Sequence, residues 1–411
     1  MRRNSYFSQV AKNYLFSEVA KRKEAFFHEN PHSTLISLSI GDTTEPLTPT
    51  ICEGLTKAAA LLGTREGYTG YGAEKGNVQL RTRISQEIYQ GKICPDAIFI
   101  SDGAKCDIGR LTLLFGPNVR IAVEDPSYPA YIDTAIIHRG YENTILPLPC
   151  TPENDFFPDL TTAASADILY ICSPNNPTGK TYSAKELEHL VAYAKAHKQF
   201  IIFDSAYAFY VQDGRPRSIY EIPGSKEVAI EIGSFSKMAG FTGIRLGWMV
   251  VPSELCYEDG HTVQSDWVRL ITTFYNGASS LAQQGGIAAL SPTGLEEITA
   301  QIRFYKENAS LLRQACLERG WQTYGGIHSP YLWIKTTHNT SWEAFDDLLR
   351  NAHILTTPGI GFGKSGEGFL RLSSFASREV IHEAVQRIKV TSCATFPSGK
   401  VHMTKNRARV M

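Results

Sequence analysis

Lys237 follows Ser236 directly, three residues after Ser234 and eight before Arg245, within "SFSKMAGFTGIRLG" (234–247). A lysine amine is a nucleophile only after losing its proton, and burial beside a second cation makes that loss easy. Lys237 is therefore a candidate Schiff-base lysine. Arg245 is both the neighbouring cation and a clamp for a phosphate, and Ser234 and Ser236 are hydroxyl donors for the same anion. Taken alone, the stretch reads more simply as a solvated glycine-rich loop, so other residues must decide. Asp204 ends the apolar run "FIIFD" (200–204). It either shapes a turn or holds a protonated heterocyclic nitrogen. "NNPTG" (175–179) is a turn signal, and the amide of Asn176 within it is a donor for a phenolic oxygen. "DGAKCDIGRL" (102–111) puts Gly103, Ala104 and Lys105 at a helix start, where backbone N–H groups suit a phosphate; the competing reading is an N-cap by Asp102. Tyr128, in "DPSYPAY", is a core aromatic or a ring that stacks on a flat cofactor. Arg371, in the apolar run "GFLRLSSF", needs a carboxylate from the protein or from a substrate.

These residues fall at the ends of a repeating pattern. Apolar runs at 97–101, 119–124, 167–172, 200–204, 228–232 and 246–251 alternate with helical patterns such as "SAKELEHLVAYAKAHK" (183–198). Continuous apolar strands between helices predict a mostly parallel sheet covered on both faces, with the ligand site beyond the strands' carboxyl ends. After residue 295 the pattern changes to a long helical stretch (296–318), "YLWIK", a helical "WEAFDDLLRNAH", a glycine-rich turn and a final helix. The reading is an α/β fold with a smaller α+β domain. Residues 48–294 form the large domain, 1–47 with 295–394 the small one, and 395–411 a loose basic tail. "GFGKSG" (361–366) matches G-x-G-x-x-G but follows no strand-to-helix entry, and Pro358 stands where a phosphate loop needs glycine. It is read as a flexible loop beside the site.

The totals bound the function. A chain of 411 residues exceeds one ordinary core. Lys plus Arg (41) balances Asp plus Glu (41), which leaves no footprint for nucleic acid or an anionic membrane. No apolar run reaches the ~18 residues of a membrane span. The eight cysteines include no C-x-x-C pair, which fits reduced thiols in the cytoplasm. The eleven histidines lack ligand spacing, so no metal site is predicted. The N-terminus has no apolar region of a secretory signal. It is basic before Glu18, as in a transit segment, while Tyr14, Leu15 and Val19 have the spacing of a short amphipathic helix.

Taken in order, "Y-x-x-Y-G", "DPSYP", "NNPTG", "D-x-A-Y", "SFSK", "R-x-G" and "R-L-S" resemble the fold-type I pyridoxal-phosphate aminotransferases over almost the whole chain. "YLFSEVAKR", "SLSIGDTTEPL", "GYTGYGAEKGNVQLR", "ISDGAKCDIGRL" and "TTFYNGAS" resemble the LL-diaminopimelate aminotransferase family in particular. The resemblance implies pyridoxal 5′-phosphate, with Lys237 as its lysine and proton carrier, and Asp204 on the ring nitrogen. Asn176 and Tyr207 would contact the ring hydroxyl oxygen, and Tyr128 would stack on the ring. Ala104, Lys105, Ser234, Ser236 and Arg245 would hold the phosphate, with Tyr71 of the partner subunit. Arg371 would bind the substrate α-carboxylate. An obligate homodimer with shared active sites is implied. Diaminopimelate carries an amino-acid group at both ends, and an unmatched buried charge costs several kcal/mol. Glu74 of the partner subunit would accept the far ammonium. Lys105, with Asn276 of the partner subunit, would donate to the far carboxylate, and Tyr14 and Gly41 would line the site. Other readings are a broad aspartate or aromatic aminotransferase, a pyridoxal-phosphate C–S lyase, or a transcription regulator on the same fold. The last needs a DNA-binding domain, and none is found before Tyr14.

Overall fold

The computed structural model describes residues 1–10, 15–141 and 144–390. After a short strand β1 (Ile36–Ser37), seven strands build the main sheet. They are β2 (Ile98–Ser101), β3 (Ile121–Asp125), β4 (Ile145–Pro149), β5 (Ile168–Cys172), β6 (Phe200–Asp204), β7 (Ala229–Ser234) and β8 (Gly247–Val250). Their spatial order is β2-β8-β7-β6-β5-β3-β4. Only β8 runs against the others, pairing antiparallel with β2 and β7. Successive residues of each strand enter opposite cores. Ile98, Ile100, Leu169, Ile171, Ile201 and Phe203 pack on one face. Phe99, Ile168, Tyr170, Ile202, Ile230 and Ile232 pack on the other. Burial on both faces is why these runs are continuously apolar.

The apolar runs predict six of these strands; β4, "ILPLP", is an addition. Its Pro147 and Pro149 argue against a central strand, and β4 lies at the sheet edge. Thr144 O accepts from Ile121 N at 2.7 Å, and Cys150 N donates to Asp125 O at 2.8 Å. Even-numbered residues thus face β3, and the prolines face outward, where no ladder needs their N–H.

The remaining strands are β9 (Thr323–Gly325), β10 (Tyr331–Lys335), β11 (Ile354–Leu355), β12 (Thr357–Pro358) and β13 (Phe369–Ser373). Four of them make an antiparallel sheet ordered β12-β13-β10-β9, while β11 pairs with β1. Helix Leu15–Glu29 sets Leu15, Val19 and Phe26 into the core of this part, with Leu312, Trp333 and Leu370. Residues 4–9 go elsewhere, onto helix Ala130–Arg139. Asn4 Nδ2 donates to Ile137 O at 3.0 Å, and Tyr141 N donates to Gln9 Oε1 at 2.7 Å. The predicted helix at 183–198 is Ala184–His197, closed by a capping box of Ser183 and Glu186. Among the described residues no helix is long and apolar enough to cross a membrane.

Candidate active site

Asp204 is the last residue of β6 and Ser234 the last of β7; turns after β2, β3 and β5 carry Gly103–Lys105, Tyr128 and Asn176. A cavity of about 420 Å³ opens where these ends meet. Gly41, Ala104, Lys105, Tyr128, Asn176, Asp204, Tyr207, Ser234, Ser236, Lys237, Arg245 and Arg371 line it, as do Asp42, Tyr131, Cys172, Thr242 and Tyr331. Gly41 arrives from the N-terminal segment and Arg371 from β13, so the cavity lies between the two sheets. Tyr71, Glu74 and Asn276 are not brought there. All three are exposed, Tyr71 by 89%. Their two segments lie together on the surface, where Thr69 Oγ1 donates to Ser280 Oγ at 3.4 Å and Gly277 faces the Ala73 carbonyl. Tyr14 lies outside the described residues.

Lys237 sits on the short helix Phe235–Met238, where Ser234 Oγ accepts from Ser236 N at 3.1 Å. Its Nζ donates to the Gly41 carbonyl. Burial lowers its pKa to about 8; Asp42 opposes the shift, and Arg371 and Arg245 add to it. At neutral pH about a tenth of such amines are free, on the order of a hundredfold more than for an ordinary lysine. The solvated-loop alternative therefore fails at this residue.

Asp204 is buried, and burial raises its pKa. Its Oδ2 accepts from the Tyr131 hydroxyl at 2.7 Å and its Oδ1 from Ala206 N at 2.9 Å. Arg371 is 1% exposed. Its Nη1 donates to Asn176 Oδ1 and its Nη2 to Ser39 O, each at 2.7 Å, while Nε has no partner. The guanidinium lies over the Tyr331 ring at 4.3 Å and the Phe362 ring at 4.8 Å. Among the described residues neither Asp204 nor Arg371 has an oppositely charged partner. A buried charge of this kind is stable only with a counter-ion, which the cavity leaves a ligand to supply.

The third corner is an anion cradle. Gly103 has φ 120°, and a Cβ there would run into the Arg245 guanidinium. Helix Ala104–Phe115 has no side-chain cap; Asp102 instead pairs with Arg110 at 2.8 Å. The N-cap alternative for Asp102 is thereby corrected, and the first N–H groups of the helix stay open to the cavity. Behind the Asn176 turn, buried Glu124 has its pKa raised to about 7 by burial. It accepts from Cys172 N at 2.7 Å, Asn175 Nδ2 at 3.2 Å and the Tyr182 hydroxyl.

The family model for aminotransferases of class I and II matches residues 33–388. The chain belongs to the class I and II aminotransferases. It is 48% identical over 400 residues to LL-diaminopimelate aminotransferase of Protochlamydia amoebophila, covering 95% of this chain and 97% of that one. It is 49% identical over 397 residues to the chloroplastic LL-diaminopimelate aminotransferase of Arabidopsis thaliana, covering 94% and 86%. The solved L,L-diaminopimelate aminotransferase from Chlamydomonas reinhardtii superposes with a TM-score of 0.91 at 48% identity, over 95% of this chain and 98% of that one. As a member of this family the chain is a transaminase that works with pyridoxal 5′-phosphate on a fold-type I scaffold. The cavity suits that cofactor by its donor chemistry. It offers a cradle without a Cβ at Gly103, an uncompensated carboxylate at Asp204 and an amine of lowered pKa at Lys237.

Reading the sequence did not single out Tyr131, Tyr331 or Asp42 for this aminotransferase site. Tyr131 stands three residues after Tyr128 in the same "DPSYPAY" phrase, which is a legible signal. Tyr331 opens "YLWIK" and reads only as strand; its hydroxyl meets that of Tyr207 at 2.8 Å and stands where a Cβ on Gly41 would be.

Proposed function

We propose that the chain interconverts LL-2,6-diaminopimelate and 2-oxoglutarate with tetrahydrodipicolinate, glutamate and water, in lysine and peptidoglycan-precursor synthesis. The observation that carries this reading is 48–49% identity, over nearly the full chain, to relatives bearing that name. When bound, pyridoxal phosphate would supply an aldehyde for the substrate amine and a cationic ring as an electron sink for the α-carbon. Ala104, Lys105, Ser234, Ser236 and Arg245 hold its phosphate. Asp204 keeps the ring nitrogen protonated, and Tyr131 and the Ala206 amide fix the Asp204 carboxylate in place. Asn176 and Tyr207 would contact the ring oxygen, and Tyr128 would stack on the ring. Lys237 Nζ takes the proton from the substrate α-carbon and returns it. Arg371 binds the α-carboxylate, the counter-ion its burial calls for.

The surface residues belong to the same reading. In a homodimer, Tyr71 reaches the partner's phosphate site, Glu74 accepts the far ammonium, and Asn276 with Lys105 donates to the far carboxylate. Gly41 lines the substrate end. The exposure of Tyr68 (70%), Tyr71 (89%) and Phe274 (65%) on one surface favours burial against a second copy. The division into two domains, 48–294 and 1–47 with 295–394, is supported by a core on the small sheet distinct from the two on the faces of the main sheet, with residues 4–9 the exception because they lie on helix Ala130–Arg139. A cytoplasmic location fits the seven free cysteines among the described residues.

The test is a visible-absorbance titration of the cofactor-loaded protein with LL-diaminopimelate, meso-diaminopimelate, glutamate and aspartate. Conversion of the cofactor to its amine form by the LL isomer and glutamate, with little by aspartate, is expected. Preference for aspartate or an aromatic amino acid would overturn the substrate. Release of pyruvate and a thiol from a β-thio amino acid such as cystathionine, without a 2-oxo acid, would instead indicate a lyase.

A further inference from the structure

The "GFGKSG" stretch, read from sequence as flexible, is firmly held. Turns Gly359–Phe362 and Lys364–Gly366 join β12 to β13, the strand of Arg371. Asp125, the buried last residue of β3, reaches across to this loop from the main sheet. Both of its carboxylate oxygens accept from Ser365 N at 3.2 Å, and Oδ2 accepts from Ser365 Oγ at 3.0 Å. Gly363, at φ 138°, leaves room for that carboxylate; a Cβ there would run into Asp125 Oδ1. Two residues beyond Asp125, Ser127 N donates to Phe362 O at 2.8 Å. The next residue is Tyr128. The Phe362 ring in turn lies under the Arg371 guanidinium at 4.8 Å. Phe362 thus touches the α-carboxylate arginine with its ring and the turn of the stacking tyrosine with its carbonyl, and Asp125 grips the same loop three residues on, at Ser365.

We propose that Asp125 is a positioning residue that ties the Phe362 loop to the Tyr128 turn, so that Arg371 and Tyr128 keep one fixed spacing across the cavity. This rests on the roles given above to Arg371 and Tyr128. Asp125 touches no substrate; it fixes where the carboxylate site stands relative to the ring face. Loss of the tie weakens binding of every amino acid that uses Arg371, whatever its far end.

The experiment compares Asp125→Ala, Asp125→Asn, Gly363→Ala and Ser365→Ala in the cofactor-loaded protein. Steady-state kinetics are run with LL-diaminopimelate and glutamate, and amide hydrogen exchange is followed in peptides spanning 125–131 and 359–367. Asp125→Ala and Gly363→Ala should raise KM for both donors about tenfold with kcat within about threefold, a binding rather than a chemical loss. Asp125→Asn, which keeps one acceptor oxygen, should recover part of that KM. Ser365→Ala keeps its backbone bond and should cost about twofold. Exchange should quicken in both peptides together, with or without cofactor. An unchanged KM in the folded variants, or quickened exchange confined to 359–367, would overturn the tie. Should Asp125→Ala fail to fold, Gly363→Ala and Ser365→Ala decide by the same criteria. If the unaltered protein transaminates neither donor, the functional reading falls, and the paired exchange still decides whether Asp125 makes the tie.

Discussion

The cavity at the strand ends and the surface around residues 68–80 and 274–280 carry residues predicted for one purpose, in opposite states. In the cavity, Arg371 is 1% exposed and Asp204 is 6% exposed, each without a counter-ion among the described residues. On the surface, Tyr71 is 89% exposed, and Glu74 and Asn276 stand in solvent. A buried charge without a counter-ion states what its ligand must bring, because leaving it unmatched costs several kcal/mol. An exposed one states nothing, because water already satisfies it. Chemistry within one chain is therefore legible by burial alone. Recognition that depends on a second copy must be tested by substrate discrimination.

The sharpest test of the cavity side is Lys237→Ala. It should cut transamination by roughly 10⁴-fold, the upper range for a lost general base. Single-turnover kinetics check the loss, and circular dichroism checks that the fold persists. Arg371→Lys comes next. It trades a planar fork for a point charge and should raise KM about a hundredfold for LL-diaminopimelate and glutamate alike. A rise for one donor only would break its assignment to the shared carboxylate. On the surface side, Glu74→Ala should lower kcat/KM for LL-diaminopimelate by about tenfold or more while leaving the glutamate half-reaction within about threefold. Equal loss with both donors would remove that surface from substrate choice.

The smallest effect is one of pH. Lys237 must lose a proton to react, and burial sets its pKa at about 8. Uptake of pyridoxal phosphate by the cofactor-free protein, followed by absorbance, should quicken with pH and level off above about 8. An ordinary lysine would go on quickening past ~10. Because this group's folded pKa lies below its unfolded one, the folded state binds fewer protons in that interval. Its burial penalty is therefore full below about 8, and is relieved as pH rises towards ~10.4. Asp42 is the anion that holds the lysine pKa up. Asp42→Asn should move the plateau to lower pH by a fraction of a unit.

Much of this was legible in the chain. The six continuous apolar runs identify the main sheet because each strand is buried on both faces, and the residues after them gather as that topology requires. Twelve of the predicted site residues line one cavity; Ala104, Lys105, Tyr128, Asn176, Asp204, Ser234, Ser236 and Lys237 do so for this reason, while Gly41 and Tyr207 were legible only through the family resemblance and Arg371 comes from the other sheet. β4 escaped because its prolines contradict strand propensity, and only its edge position resolves the conflict. Tyr331 escaped because a tyrosine in an apolar strand looks like packing until its hydroxyl is seen against Tyr207 and Gly41. Asp125 escaped because its partner Ser365 is 240 positions away, a pairing that only the fold creates.

The two prolines of β4 have a further consequence. A sheet edge is a template on which another strand can grow, through its row of free N–H and C=O groups. Here the outward donors at 147 and 149 are missing, so an incoming strand finds acceptors and almost no donors. The opposite margin, at β2, is already met by the 68–80 segment, where Ile100 N donates to Lys75 O at 3.0 Å. Seven strands rich in isoleucine and phenylalanine, exposed in any partly folded chain, are an aggregation hazard. Covering both margins of the main sheet discourages copies of the folded chain from joining by extending its strands.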